Sequence, residues 1–333
     1  MLGAETDRPC RRIRIKVLCG MLGSLPPVSF GDGYEFVYDA ACVDYDWLVV
    51  FDEMPTACER LRCPRERTIL CTWEPVSIKS YSKSYTRQFG HLLSNRPYEA
   101  EKHPHYRLGR GYFLWFVRDV PKVGAAADKP RLVSAVCSAK QMKHTRHFAR
   151  YGLVSELAQA IPEMDWYGKG VRPLARKEAA LVPYKYHVAV ENHIAPHHWT
   201  EKFADAILCE SLPFYAGDPA LTEIFPQECF IPIPIDDPAE AVRIVKAAIA
   251  NDEYAKRRAA VLEAKRLILS KYNFWAQVVE VIESSDGSRL PPPDSRPPAF
   301  IYARRALRRH SLAAALEDAV DRLKRGLCCP RLA

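Results

Sequence analysis

The sequence predicts an α/β protein built from two successive doubly wound units, and three observations carry that expectation. Apolar runs of strand length recur at intervals long enough to hold a helix. Several of these runs are near-continuous rather than alternating, as strands buried on both faces of a parallel sheet are. Near mid-chain, residues 122–129 (KVGAAADK) read as a linker between two such series. A length of 333 residues agrees, since ~150 residues is a common domain size.

The elements follow in order. Residues 12–18 (RIRIKVL) alternate apolar and basic side chains, then break at Gly20 and Pro26-Pro27. The run 46–51 (DWLVVF) is almost wholly apolar and ends in a loop, and 68–73 (TILCTW) ends at Glu74-Pro75. The second series starts with a strand at 131–136 and a helix over about 145–160, then a strand at 164–167 that turns at Gly168. Further strands are expected at 186–190 and 213–215, and helices at 201–210, 239–251 and 253–271. Residues 284–298 (SSDGSRLPPPDSRPP) have the composition of a linker, and 302–327 reads as one amphipathic basic helix. The expected division is therefore 1–125, 126–285 and a linker with basic tail at 286–333.

Composition excludes several classes. Charge content is ordinary and aromatic residues make up 11%, unlike a disordered chain. No apolar stretch approaches the ~18 residues of a membrane span, and no signal peptide is read at the start. The eleven cysteines are scattered, odd in number and without a CxxC pair, so reduced, mostly buried thiols are expected. Net charge is +8, but residues 296–333 hold nine Arg and Lys against three acids, a net of +6. The rest carries +2, which does not suit a nucleic-acid-binding face.

Chemistry gathers in residues 186–231. A buried strand ends in Glu191-Asn192, a loop follows, and a helix starts at Thr200-Glu201-Lys202. The carboxyl end of a parallel sheet beside a helix N-terminus favours phosphate, because free N–H groups and the helix dipole attract anions. Thr200 suits the N-cap, Lys202 would add positive charge for a diphosphate, and Glu201 could accept bonds from sugar hydroxyls.

This stretch resembles the donor-binding region of the family 10 glycosyltransferases, the α-1,3/1,4-fucosyltransferases. Glu191-Asn192, Thr200-Glu201-Lys202, Pro213 to Gly217, Phe225-Pro226 and Phe230-Ile231 follow the family's order and spacing. Upstream, Ser138-Ala139-Lys140, the helix arginine Arg150 and Asp165-Trp166-Tyr167-Gly168 resemble further family segments, and Trp73-Glu74-Pro75 resembles the motif with its presumed catalytic glutamate. The likeness is clear over about 130–235, thinner back to about 68, and absent after Pro291.

The resemblance implies a GT-B fold, two facing Rossmann-like domains, with the C-terminal one binding GDP-fucose and the N-terminal one presenting the acceptor. It implies inverting transfer without a cofactor or a metal-binding Asp-x-Asp motif. Glu74 would be the general base. Arg150 and Lys202 would stabilise charge on the departing GDP, Lys140 would touch phosphate, and Asn192, His198, Thr200 and Glu201 would complete the donor site. Lys143 or Arg146 is the alternative to Arg150. His193 and His198 stand where the family more often has Ser and Tyr, so a different nucleotide sugar is one alternative and a silent glycan- or nucleotide-binding protein another. A zinc site at His193, His197 and His198 is disfavoured, since no acid or cysteine lies at ligand spacing. The expected acceptor is a surface oligosaccharide, a protein-linked glycan or a lipid-linked glycan such as lipopolysaccharide. The expected location is the cytoplasm, peripheral to the inner membrane face, where the 300–327 helix could meet anionic lipid.

Overall fold

The computed structural model describes the chain apart from residues 1–10, 21–26, 73, 77, 112–115, 118, 126–127, 141–145, 286–298 and 329–333, and in α8 the side chains as far as residue 320. The chain divides into two compact units. The first gathers residues 1–74, 79–108 and 278–324; the second gathers 75–78, 109–277 and 325–333.

The first unit is built on a seven-stranded sheet in the order β2-β3-β1-β4-β6-β7-β8. Its strands are β1 (Ile13–Cys19), β2 (Val28–Phe30), β3 (Tyr34–Val37), β4 (Trp47–Phe51), β6 (Thr68–Thr72), β7 (His91–Ser94) and β8 (Tyr106–Leu108). All neighbours run parallel except the β2–β3 pair. Val17, Val49, Ile69 and His91 lie abreast across four adjacent strands. Every residue of β4 and β6 is buried, which is why both read as unbroken apolar runs rather than alternating ones. The short helix α1 (Lys83–Thr86) follows, N-capped by the Ser82 hydroxyl, which accepts from the Tyr85 N–H.

The C-terminal segment is part of this unit, which differs from a separate tail at 286–333. β14 (Phe300–Tyr302) pairs antiparallel with β5 (Cys58–Arg60), placing Ile301 opposite Glu59. Ile301, Ala303, Leu307 and Ala314 are buried in one core with Leu48, Leu70, Tyr81, Tyr85 and Phe89. The expected single helix over 302–327 is two, α7 (Arg304–His310) and α8 (Leu312–Cys328). Ser311, with extended backbone, separates them, and its hydroxyl accepts from the Ala314 N–H at 3.2 Å as a fresh N-cap. Most of the 284–298 linker lies outside the described residues, as does Trp73.

The second unit carries a five-stranded, wholly parallel sheet in the order β10-β9-β11-β12-β13. These strands are β9 (Arg131–Val136), β10 (Met164–Tyr167), β11 (Tyr184–Val190), β12 (Leu212–Ala216) and β13 (Ile231–Pro232). Trp166, Ala135, Val188, Phe214 and Ile231 lie abreast across it. Helices α2 (His147–Ala160), α3 (Glu201–Leu208), α4 (Pro238–Ala250) and α5 (Glu253–Ser270) complete the unit, and α6 (Phe274–Ser284) runs through the boundary between the two groups. Among the described residues, no helix is long and apolar enough to cross a membrane.

Candidate functional site: the carboxyl edge of the second sheet

Strand β11 delivers Glu191 and Asn192 to the carboxyl edge, and the chain returns to start α3 at Thr200. Thr200 has extended backbone, as an N-cap requires, and its hydroxyl accepts from the Lys202 N–H at 3.3 Å. The helix is held by burying Phe203, Ala204, Ile207 and Leu208, so its first turn is aimed by packing along its length. The Lys202 ammonium lies 3.1 Å from the Thr200 hydroxyl and 2.8 Å from Glu201 Oε1. Burial alone would push the Glu201 carboxyl up, but the Lys202 and Lys177 ammonium groups outweigh it and hold the acid down at about 2. Burial likewise tends to lower Lys202, and its glutamate neighbours more than reverse that, so its pKa lies above the ordinary value.

Helix α2 brings a second cation. Arg150 is 7% exposed, and its guanidinium donates to Asn192 Oδ1. Among the described residues, the buried Arg150 Nε–H has no hydrogen-bond partner. Arg146, at the start of the same helix, donates through its backbone to the Asn192 carbonyl at 3.4 Å and through its side chain to both Asp236 oxygens, at 2.8 and 2.6 Å. The strand-end turn at Gly168 adopts φ +146°, and a Cβ there would lie 2.2 Å from the Cys137 carbonyl. Only glycine allows this close approach beside β9.

Five of the expected donor residues are thus brought together: Arg150, Asn192, Thr200, Glu201 and Lys202. His198 is buried in the connecting loop, its ring 5.2 Å from His193 in an edge-on arrangement. Lys140 is exposed on the β9–α2 connection; Lys143 lies outside the described residues. Glu74, in the first unit, stands two residues past the end of β6 and is partly buried. Among the described residues, no group of three or more His, Cys, Asp and Glu gathers as for a metal ion.

Sequence reasoning left two features of this edge without a role. One is Glu191, noted only as half of a motif. The other is a cavity of about 420 Å³ whose wall includes Ile194, Tyr215, Asp218, Phe230, Ile233 and Ile235. Asp218 accepts from the His197 N–H at 2.9 Å and the Ala220 N–H at 2.8 Å, and so shapes the loop between Asn192 and Thr200. The lining runs over residues 194–235 and is mostly apolar, so in sequence it reads as core.

An α1,3-fucosyltransferase crystallised with GDP superimposes with a TM-score of 0.52 at 14% identity, covering 89% of this chain and 95% of that one. That likeness shows the fold, which is of the GT-B type. Also similar are an α1,3-fucosyltransferase with GDP-fucose, at a TM-score of 0.47 and 15% identity over 78% of this chain and 84% of that one, and Anabaena HepE in complex with UDP and glucose, at 0.46 and 10% over 74% and 79%. No curated protein matches the sequence. Residues 126–255 match the family model described as glycosyltransferase family 10 (fucosyltransferase), C-terminal part.

Proposed function

We propose that this glycosyltransferase moves L-fucose from GDP-fucose to a hydroxyl of a surface glycan or glycolipid, with inversion at the transferred carbon. The observation that carries the reading is Lys202 in the first turn of α3 and the Arg150–Asn192 pair at the same sheet edge, inside the segment that matches the family. The donor identity is supported by that match and by the GDP and GDP-fucose bound to the similar α1,3-fucosyltransferases. In this reading the acceptor oxygen attacks the sugar carbon as Glu74 takes its proton. The bond to the phosphate oxygen breaks and its electron pair leaves on GDP, where Arg150, Lys202 and the N–H groups of α3 stabilise the growing charge. Side-chain cations do this work in place of a metal ion. In this reading Lys140 touches the phosphates, and His198 with His193 faces the sugar.

Titration of the purified chain with GDP, UDP, dTDP and CMP, read by thermal shift, tests the donor. A ligand that binds only the folded state stabilises by about 2.7 kcal/mol at a hundredfold excess over Kd. GDP alone is expected to shift the transition; a preference for UDP or dTDP overturns the fucose donor. Glu74→Gln is expected to lower turnover about a hundredfold or more with GDP affinity unchanged, and activity is expected to persist in EDTA. Unchanged turnover removes Glu74 as the base, and loss of activity that added Mg²⁺ or Mn²⁺ restores overturns the metal-free scheme.

We further propose that α8 rests on an anionic membrane surface at the cytoplasmic side. Leu312, Leu316 and Val320 recur at i, i+4 and i+8 and are 85%, 67% and 47% exposed, and exposed Arg305 and Arg309 precede them on α7. An outward apolar row within a basic segment suits the interface of an anionic bilayer.

A further inference from the structure

Glu191 is 0% exposed at the end of β11, in a position where a carboxylate is costly unless its oxygens are used. They are. Oε1 accepts from the Thr200 N–H at 2.9 Å and Oε2 from the Thr200 hydroxyl at 2.6 Å, while Oε2 lies 3.4 Å from the Lys202 ammonium. The backbone N–H of Glu191 donates to the Ala216 carbonyl at 2.8 Å, which fixes its Cα on the strand edge. A Cβ at Gly217 would lie 2.7 Å from Glu191 Cγ and 2.2 Å from the Tyr215 hydroxyl, so the neighbouring strand end leaves room for this side chain only because residue 217 has none. Burial is the main influence on the acid and raises its pKa, with the Lys202 charge and the Thr200 donors opposing that rise.

We propose that Glu191 is a positioning residue for the diphosphate site: it fastens the Thr200 N-cap to the sheet edge and, through that hydroxyl and a direct charge contact, sets where the Lys202 ammonium stands. The inference rests on reading the start of α3 as the site of the donor's diphosphate. Simple electrostatics predicts the reverse of positioning. A carboxylate 3.4 Å from Lys202 offsets its charge, so removing it would tighten the binding of a phosphate if proximity of charge were all that mattered. If Glu191 instead holds the ammonium and the helix start in place, its loss releases both, and phosphate binding weakens.

The experiment is calorimetric titration of the full chain and its variants with GDP and with guanosine, which has no phosphate. Glu191→Gln is expected to raise the Kd for GDP at least tenfold and to leave guanosine within twofold. In a Lys202→Met background the same substitution is expected to cost clearly less GDP affinity than in the wild type, because one of the two groups it positions is gone. Unchanged or tighter GDP binding in Glu191→Gln overturns the inference, as does a full effect that persists beside Lys202→Met or an equal loss for guanosine. Thr200→Val, which removes the hydroxyl shared by Glu191 and Lys202, carries the decision if Glu191→Gln does not fold. It is expected to weaken GDP binding selectively, and an unchanged Kd overturns the inference. Failure of the wild-type chain to bind GDP at all would instead overturn the donor-site reading.

Discussion

The His187 imidazole, 2% exposed in the middle of β11, shows how a single buried group sets the acid limit of the second unit. The Ser134 hydroxyl donates to the Ala180 carbonyl at 2.5 Å, which leaves its oxygen to accept from His187 Nδ1 at 2.8 Å. Burial, helped by the nearby Lys177 and Lys129 charges, lowers the imidazole to about 3. The unfolded chain, at the ordinary 6.5, therefore binds the proton first as pH falls. The stability tied to neutral His187 is complete above 6.5 and is lost progressively as pH drops toward 3. One such group changes stability by up to about 1.4 kcal/mol per pH unit, so the loss between pH 6.5 and 4.5 is on the order of 2 kcal/mol. Denaturant unfolding across that window is expected to show this slope in the second unit, reduced by that amount in His187→Asn. An identical slope in the variant would mean that His187 is not the group responsible. Glu201, held down at about 2, acts in the same direction but only below its ordinary value of 4.5.

At the scale of elements, legibility followed how local the cause was. Strands β4, β6, β9, β10 and β11 announce themselves because each carries its own apolar run, and α3 because Thr200-Glu201-Lys202 is an N-terminal signature in three residues. Strands β5 and β14 are three residues long, and Cys58-Glu59-Arg60 is polar. Their pairing depends on a partner from the other end of the chain, which no window of sequence contains. The same cause hid Ser311, which divides α7 from α8 by capping, and Glu191, whose partners Thr200 and Lys202 lie across a loop. The α8 face itself was legible, since Leu312, Leu316 and Val320 keep the helical period. Because Ile301 and Leu307 are core residues, membrane docking is tested by substitution and not by deletion. Leu312→Glu, Leu316→Glu and Val320→Glu together are expected to abolish sedimentation with phosphatidylglycerol vesicles and to leave the melting temperature within a few degrees. Equal sedimentation would overturn the docking surface.

For the whole molecule, the course of the chain matters more than the count of its domains. The first unit is opened by residues from 1–74 and 79–108 and closed by a segment, 278–324, that follows most of the second unit in the chain. Its core is incomplete until Ile301, Ala303, Leu307 and Ala314 reach Leu48, Tyr81 and Phe89, and among the described residues β5 pairs only with β14. Fully burying a Leu or Ile side chain contributes about 1.5–3 kcal/mol, so Ile301 and Leu307 together supply about 3–6 kcal/mol. That rivals the whole stability of a typical domain, about 5–15 kcal/mol. The Lys16 ammonium, 2% exposed and 2.8 Å from Glu59 Oε1, depends on β5 as well, and a buried charge stripped of its partner costs several kcal/mol more. A chain ending at Ser285 is therefore expected to lose the first unit selectively: its amides in β1, β4 and β6 should exchange rapidly with deuterium, while those of β9, β11 and β12 stay protected. Native protection in both sheets of the shortened chain would show that the first core closes without its C-terminal segment.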